Sequence, residues 1–455
     1  MPAARTIPLP WHRKFAYALP ALSLAVIGIP VYVFLPKFYT DTIGLDIATV
    51  GILLMAVRLF DAVTDPVIGY LSDRTTGRCG RRRPYMALGA VGLAVSILFL
   101  FRPPVPGSDG LALYFGAWLF ALFFFWTVIT IPYESLGPEM TPDYHERTSL
   151  FSIRDGFLIL GTLLAAASPV LIDGALKWMG QVPAEADRFS VMAFVFSPMI
   201  VAFSFYCIWQ IRETGRRKEQ DKLHVGFAAG FSAVLKNRPF LILITGFTIS
   251  AFGSNLPATL ILYYVEYVLQ VEHAEGYLLV YFLTGILFLP FWIRVSGKIG
   301  KKNAWILSMA VNTGAFIGVF FLGPGDAMAY GVLVFLSGIG FGAGLALPSS
   351  IQADVIDYDQ VLTGQRREGR YIGLWSIAKK LSAALGVGIG LLLLGSTGYS
   401  PNIRQDETTV FMLRVLYALV PCLCNLLSMA IISFYPISEQ AHARIRKQIE
   451  RLESV

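Results

Sequence analysis

Residues 58–85 read RLFDAVTDPVIGYLSDRTTGRCGRRRPY, an apolar segment that carries charges and ends in a run of arginines. Arg58, Asp61 and Asp65 recur at positions i, i+3 and i+7, so a helix places all three on one face. Charged side chains are costly inside a hydrocarbon core, and where they occur they mark functional sites. The arginines that follow Asp73 are typical of a cytoplasmic loop. The stretch therefore predicts a membrane-spanning helix with a functional acidic pair.

The composition of the whole chain also indicates a membrane protein. Its 455 residues are 55% hydrophobic and only 15% charged, whereas soluble proteins carry about 25% charged residues. The apolar residues form unbroken runs long enough for helices that cross a bilayer. Such runs exclude a disordered chain, and they lack the alternation typical of a membrane β-barrel. The net charge of +7 is explained by inner loops next to an anionic leaflet, so nucleic acid is not a predicted partner.

Apolar windows predict twelve helical spans: 16–39, 46–72, 84–102, 110–137, 151–173, 189–211, 239–268, 273–296, 304–323, 328–348, 371–395 and 408–435. Counted together with the adjoining ends of the spans, the predicted inner side holds 27 of the Lys and Arg residues and the outer side holds 5, which predicts both termini in the cytoplasm. The predicted six-helix bundles are residues 1–211 and 239–435. A central cytoplasmic loop, 212–238, joins them, and residues 436–455 form a cytoplasmic tail.

The loops after the second and eighth spans indicate an internal repeat. They read GYLSDRTTGRCGRRRPY (69–85) and RVSGKIGKKNAW (294–305), and both contain glycine and are strongly basic. Paired halves of this kind are typical of secondary transporters. The chain has no GxxxxGK[ST] segment for nucleotide, which excludes an ATP-driven pump. It also shows no nucleophile–base pair or metal cluster, so neither an enzyme nor a bound cofactor is predicted.

The acidic pair predicts a site for one monovalent cation. Two carboxylates four residues apart repel each other, and Arg58 can neutralise one of them, leaving a charge of −1. Either Na⁺ or a proton shared by the pair would fill that vacancy. Thr127 lies at a similar predicted depth and offers a neutral oxygen, and the same depth argument predicts that Lys380 lies opposite the pair, in the other half. A structural salt bridge between helix 2 and a neighbour is the alternative.

Charged residues near the inner ends of the helices predict gates made of ion pairs, with a merely solvated loop as the alternative. Both signs occur after helix 4 and again after helix 10. The predicted gating residues are Arg58, Asp73, Glu146, Arg147, Asp354, Asp357 and Arg367.

Three motifs carry a resemblance to a known family: residues 58–85, IPYESLGPEMTPDYHERT (131–148) and ADVIDYDQVLTGQRREGRY (353–371). With them the chain resembles the glycoside–pentoside–hexuronide:cation symporters of the major facilitator superfamily, to which melibiose permease belongs. The resemblance implies an all-α major facilitator fold with two pseudo-symmetric six-helix bundles. It implies Na⁺- or H⁺-coupled symport of a sugar or glycoside by alternating access. The expected protein is a monomer in a bacterial inner membrane, with the coupling ion in place of a cofactor.

The resemblance also assigns site residues. The cation-binding positions of the family match Asp61, Asp65 and Thr127, with Thr64 in place of an asparagine, so that the two acids would be metal ligands if the ion is Na⁺. The gating arginine of the family and its helix 11 lysine match Arg154 and Lys380. The predicted substrate-binding set is Arg154, Lys380, Glu134, Thr130, Trp126, Ser376 and Asn255.

The sugar site departs from that of melibiose permease. Ala25 and Thr130 stand where that protein has sugar-binding aspartates, and Glu134 replaces an aromatic residue. Loss of both carboxylates removes the hydrogen bonds that select a pattern of sugar hydroxyls. Two solutes therefore stay open: a sugar acid held by Arg154 or Lys380, and a lysophospholipid, since relatives of the family carry lysophosphatidylcholine with Na⁺.

Overall fold

The computed structural model describes residues 9–75, 80–105, 108–141, 144–211, 237–271, 274–364 and 367–453, and these residues contain helices and no strand. The first six helices are α1 (Trp11–Thr42), α2 (Ile47–Arg74), α3 (Arg83–Leu100), α4 (Leu111–Met140), α5 (Tyr144–Trp178) and α6 (Glu185–Gln210). The others are α7 (Arg238–Val268), α8 (Glu275–Leu287 with Leu289–Ile299), α9 (Lys301–Phe320), α10 (Ala327–Thr363), α11 (Glu368–Ser396), α12 (Glu407–Ser433) and α13 (Glu439–Glu453).

The helices α1 to α12 correspond to the twelve predicted spans. Within the described residues, 11 helices are long and apolar enough to cross a membrane, and α8 is a pair bent by 44°. The bend has a local cause, because Pro290 lies at the start of the second segment and has no N–H to donate. The prediction of twelve spans is confirmed with α8 counted as one broken span. Most of the predicted central loop, 212–236, lies outside the described residues.

Three of the spans contain short π-helical turns. They lie at Pro30–Phe34 and Phe38–Thr42 in α1, at Tyr264–Val268 in α7 and at Val415–Leu419 in α12. The last turns of α1 and α7 share a pattern, since Leu45 N–H bonds the carbonyl of Tyr39 and Val271 N–H bonds that of Val265. The first helix of each half therefore ends alike, as an internal repeat requires.

One compact unit comprises Met1–Arg217 with Ser400–Ile403. In it α3 packs against α4 and α6, while α1 packs against α5. Gly89 permits the close contact between α3 and α4, because a Cβ at that position would lie 2.6 Å from the backbone nitrogen of Ile129. The carboxylate of Asp46 accepts the N–H of Thr49 at 2.8 Å and caps α2, which carries the acidic pair.

The other unit comprises Lys218–Tyr399 with Arg404–Val455. Here α9 packs on α10, and α7 packs on α11 and α12. A chain of buried or half-buried polar groups joins four helices: Ser250 donates to Asn425 (3.2 Å), Asn425 to Asn312 (3.1 Å) and Asn312 to Ser337 (2.9 Å). Hydrogen bonds of this type hold helices together where hydrophobic packing alone gives little preference over lipid.

Candidate functional site

The two acids of α2 converge on one hydroxyl of α4. Thr127 Oγ1 lies 2.7 Å from Asp61 Oδ1 and 3.1 Å from Asp65 Oδ1. Thr127 is 2% exposed, Asp61 is 8% exposed and Asp65 is half-buried. A threonine hydroxyl has one proton to donate, so it satisfies only one of the two carboxylates at a time. The arrangement thus gathers three oxygens and up to two negative charges at one place in the membrane-spanning region.

The fourth predicted cation ligand is used differently. The hydroxyl of Thr64 donates to the backbone carbonyl of Asp61 at 3.2 Å. Hydrogen bonding to the preceding turn is the usual behaviour of a threonine within a helix. The hydroxyl hydrogen of Thr64 is therefore donated to the backbone of α2.

The spacing predicts that Arg58 neutralises one acid of α2, but in the structure Arg58 contacts aromatic side chains instead. Its guanidinium lies over the ring of Tyr32, 3.8 Å from the centroid, and donates to the Tyr32 hydroxyl at 3.2 Å. The ring of Phe123 is 5.2 Å away. Among the described residues no carboxylate forms an ion pair with Arg58. A planar, weakly hydrated guanidinium stacks well on aromatic faces, and this explains the preference for the ring.

Aromatic side chains frame this arginine. Trp126 stacks on Tyr32 with ring centroids 5.8 Å apart, and on Phe123 at 6.1 Å. We call Tyr32, Arg58, Phe123 and Trp126 the arginine–aromatic cluster. Three of its members are half-buried and Phe123 is buried, so the cluster is partly accessible. Sequence reasoning named Arg58 and Trp126 for separate roles and missed Tyr32 and Phe123, because only the fold brings α1 and α4 to α2.

The other predicted substrate residues of the first unit, Thr130, Glu134 and Arg154, differ in their burial and in their partners. Thr130 Oγ1 is buried and has no hydrogen-bond partner among the described residues, although it lies one turn after Trp126. Glu134 is exposed. Arg154 pairs with its neighbour Asp155 at 2.7 Å and lies over Phe151 at 4.6 Å.

The predicted residues of the second unit lie on α7 and α11. Lys380 and Ser376 are both half-buried and are separated by one helical turn of α11. Asn255 donates its Nδ2 hydrogen to the carbonyl of Ala251 within α7 at 2.7 Å. Asn255 also packs closely against α11, because a Cβ on Gly386 would lie 2.7 Å from the Cβ of Asn255.

Ion pairs occur at the predicted inner ends of the helices of the first unit. Glu146 pairs with Lys14 at 2.9 Å and also accepts the N–H of Leu9. Arg147 donates to the carbonyls of Pro138 and Thr141, and the side chain of Asp73 lies outside the described part. Glu139 pairs with Arg82 at 2.9 Å and with Arg81.

The second unit has its own ion pairs around α10. Asp354 accepts from Lys301 Nζ at 2.7 Å and lies 3.5 Å from His442 Nε2. Asp357 lies 3.0 Å from the same nitrogen, which ties α13 to α10. Arg367 bonds Asp359 through two nitrogens, at 2.5 and 2.9 Å, and this hydrogen bond raises the pKa of the arginine.

The chemistry of these groups suits ions and polar solutes, not bond-making. In the part of the chain that is described, no three or more His, Cys, Asp or Glu side chains form a group that could hold a metal ion. The site residues with charge are instead a carboxylate pair with a hydroxyl, and a cation on aromatic rings. These are groups that bind an alkali ion or a proton and that recognise a polar solute.

Comparisons with known proteins identify a family for the chain. Residues 16–439 match the family described as MFS/sugar transport protein. The chain is 28% identical to the glucuronide carrier protein homolog of Escherichia coli (strain K12), over 97% of this chain and 93% of the relative. It is 26% identical to an uncharacterized symporter, YjmB, of Bacillus subtilis (strain 168), over 92% and 91% of the two chains.

Among solved structures, a variant of the nucleoside transporter NupG superposes with a TM-score of 0.67 at 13% identity, covering 92% of this chain and 99% of NupG. This likeness confirms the fold predicted from the sequence. The family match covers all three motifs that carried the resemblance to the glycoside–pentoside–hexuronide symporters. The chain therefore belongs to the MFS/sugar transport protein family, and it is a multi-pass membrane protein that works as a secondary transporter and not as an enzyme.

Proposed function

We propose that this transporter moves a sugar-type solute together with one monovalent cation, Na⁺ or H⁺, by alternating access. The observation that carries the proposal is the single hydroxyl of Thr127 between the carboxylates of Asp61 and Asp65. Two ionised carboxylates on one helix face, both within reach of the same hydroxyl, repel each other. A cation between them, or a proton on one of them, relieves that repulsion, as in other coupled acid pairs.

Three residues would form the cation site: Asp61, Asp65 and Thr127. Thr64 would act indirectly, by fixing the backbone of α2 next to Asp61. The ion pairs of Glu146, Asp354, Asp357 and Arg367 would serve as inner gates that break and reform during transport. We further propose a monomer in a bacterial inner membrane with both termini in the cytoplasm, and the division into bundles predicted from the sequence.

The solute is proposed from the relatives. The family description names sugar transport, and one similar protein is named for a glucuronide. These names support a sugar or glycoside, and they do not favour the alternative of a lysophospholipid.

Uptake into proteoliposomes tests the coupling. We expect Asp61→Asn and Asp65→Asn to abolish accumulation driven by a Na⁺ or pH gradient, while solute exchange without a gradient persists. Asp109→Asn serves as the control, since Asp109 is exposed in the connection between α3 and α4. If both variants accumulate solute as the wild type does, the cation site is wrongly assigned.

A further inference from the structure

We propose that Arg58 binds an anionic group of the solute, so that the arginine–aromatic cluster selects sugar acids, carrying a carboxylate or a sulfonate, over neutral sugars. The proposal rests on the transport function proposed above and specifies its substrate class. It assigns to Arg58 a role distinct from the gate and from the neutralisation of an acid that the sequence had suggested.

The first observation is the electrostatic position of Arg58. It lies in the middle of a membrane span, where a cation is expensive unless it is paired. Arg58 forms no ion pair within the described residues. It contacts the rings of Tyr32 and Phe123 and the hydroxyl of Tyr32. An aromatic face compensates a guanidinium only in part. An anion would complete the compensation.

The second observation is the number of free donors. A guanidinium has five N–H groups arranged as a fork that fits a carboxylate or another planar set of oxygens. The contacts of Arg58 use one N–H, towards Tyr32, with the flat face occupied by the ring. No other hydrogen bond of Arg58 is formed within the described residues, so its remaining N–H groups can donate to an oxyanion in a bidentate contact.

The third observation is the surface around Arg58. Tyr32 and Trp126 are half-buried and stack on each other with ring planes 26° apart, and the guanidinium of Arg58 also lies over the ring of Tyr32. The parts of these rings that stay accessible form an apolar surface against which the C–H groups of a sugar can pack. One turn further along α4, the buried hydroxyl of Thr130 has no partner among the described residues and can hydrogen-bond a solute hydroxyl.

The location of Arg58 also links the solute to the cation. Arg58 precedes Asp61 by one helical turn of α2, and Trp126 is adjacent to Thr127 on α4, so α2 and α4 contribute to both groups of residues. A cation at the acidic pair would increase the attraction of this region for an anion. By reciprocity, the anion would raise the affinity for the cation by the same factor.

Binding to the purified protein tests the proposal. Thermal unfolding would be followed with D-glucuronate against D-glucose, D-galacturonate against D-galactose, and a C6-sulfonated glucose against 6-deoxyglucose. We expect at least one acid to stabilise the wild type at about one tenth of the concentration that its neutral partner needs. Arg58→Gln should abolish that preference, and Arg58→Lys, which keeps the charge but not the fork, should retain part of it.

Arg102→Gln is the matched control. Arg102 also lies over a ring, 4.7 Å from the centroid of Phe194, but it is exposed beyond the end of α3. The acid preference of this variant should equal that of the wild type. The proposal is overturned if no acid binds, if neutral sugars bind equally well, or if Arg58→Gln weakens an acid and its neutral partner by one factor, as a merely structural arginine would.

A separate measurement distinguishes failure of this proposal from failure of the coupling. Without solute, the melting temperature of the wild type should depend on Na⁺ or on pH, and Asp61→Asn should remove that dependence. An acid preference that depends on Arg58 together with an unchanged ion response in Asp61→Asn would retain the anion site and reject the cation site.

Discussion

The hydroxyl of Thr127 lies 2.7 Å from a carboxylate oxygen of Asp61, although 66 residues separate them in the chain. A hydrogen bond to a charged group contributes about 1.5–3 kcal/mol. Thr127→Val removes the hydroxyl with little change of shape, and loss of this oxygen ligand should weaken Na⁺ binding roughly ten- to hundredfold. The measurement is a titration of the melting temperature with Na⁺ and with pH.

Two further variants serve as controls for Thr127→Val. Thr127→Ser keeps the hydroxyl and should remain within a fewfold of the wild type. Thr162→Val removes a hydroxyl that only bonds the carbonyl of Leu158 in its own helix, and it should leave cation binding unchanged. Equal cation affinities in Thr127→Val and Thr162→Val would show that the Thr127 oxygen is no ligand.

A second prediction concerns the contact between α3 and α4. A Cβ on Gly89 would lie 2.6 Å from the nitrogen and 2.8 Å from the Cβ of Ile129, so Gly89→Ala should separate the helices and destabilise the protein by about 1–3 kcal/mol. Gly156 has nothing within 4 Å of the corresponding position, and Gly156→Ala should be neutral or stabilising by about 0.5–1 kcal/mol. Thermal unfolding of both variants in one detergent checks the difference in sign.

The polar chain of the second unit gives a third prediction. Asn425 joins Ser250 and Asn312, and hydrogen bonds between membrane helices contribute about 0.6 kcal/mol on average. Asn425→Ala should therefore lower the unfolding free energy measurably, and a double-mutant cycle with Ser250→Ala should show coupling. Ser254, which bonds the carbonyl of Ser250 in its own helix, supplies the comparison, and Ser254→Ala should show none with Asn425→Ala.

The fourth prediction concerns α13. His442 contacts Asp357, which we propose as a gate residue, while Ile445 and Ile449 are buried one and two turns later. We expect His442→Ala to weaken docking of α13 by about 1 kcal/mol, and so to increase its proteolysis about fivefold. Arg444 is exposed on the same helix, and proteolysis of Arg444→Ala should match the wild type. A cleavage rate for His442→Ala equal to that of Arg444→Ala would mean that the imidazole contact contributes nothing.

The sequence was sufficient for the twelve spans and for the acidic pair. The thickness and apolarity of the bilayer set the length and hydropathy of a spanning helix, so both can be read from the sequence. The spacing of Asp61 and Asp65 places them on one helix face whatever surrounds them. Their meeting with Thr127 was predicted from depth alone, since residues at equal depth on adjacent helices can touch.

The depth of a residue in the membrane does not show in which direction around the helix axis its side chain points. Arg58 shares a face with Asp61, which suggested an ion pair, but α1 places Tyr32 beside its guanidinium. Thr64 stays a predicted cation ligand, but its hydroxyl hydrogen is donated to a carbonyl of its own helix, which the sequence pattern did not indicate. Both differences arise because neighbouring helices and the helix backbone compete for each polar group, and a one-dimensional pattern contains neither.

The docking of α13 on α10 has a practical consequence for handling the protein. A purification tag or fluorescent reporter fused after α13 would be attached to a helix whose His442 contacts Asp354 and Asp357. Such a fusion could disturb these contacts and therefore two acids that we assign to an inner gate. Transport assays on fusions should therefore attach the label elsewhere, or carry it on a long flexible spacer.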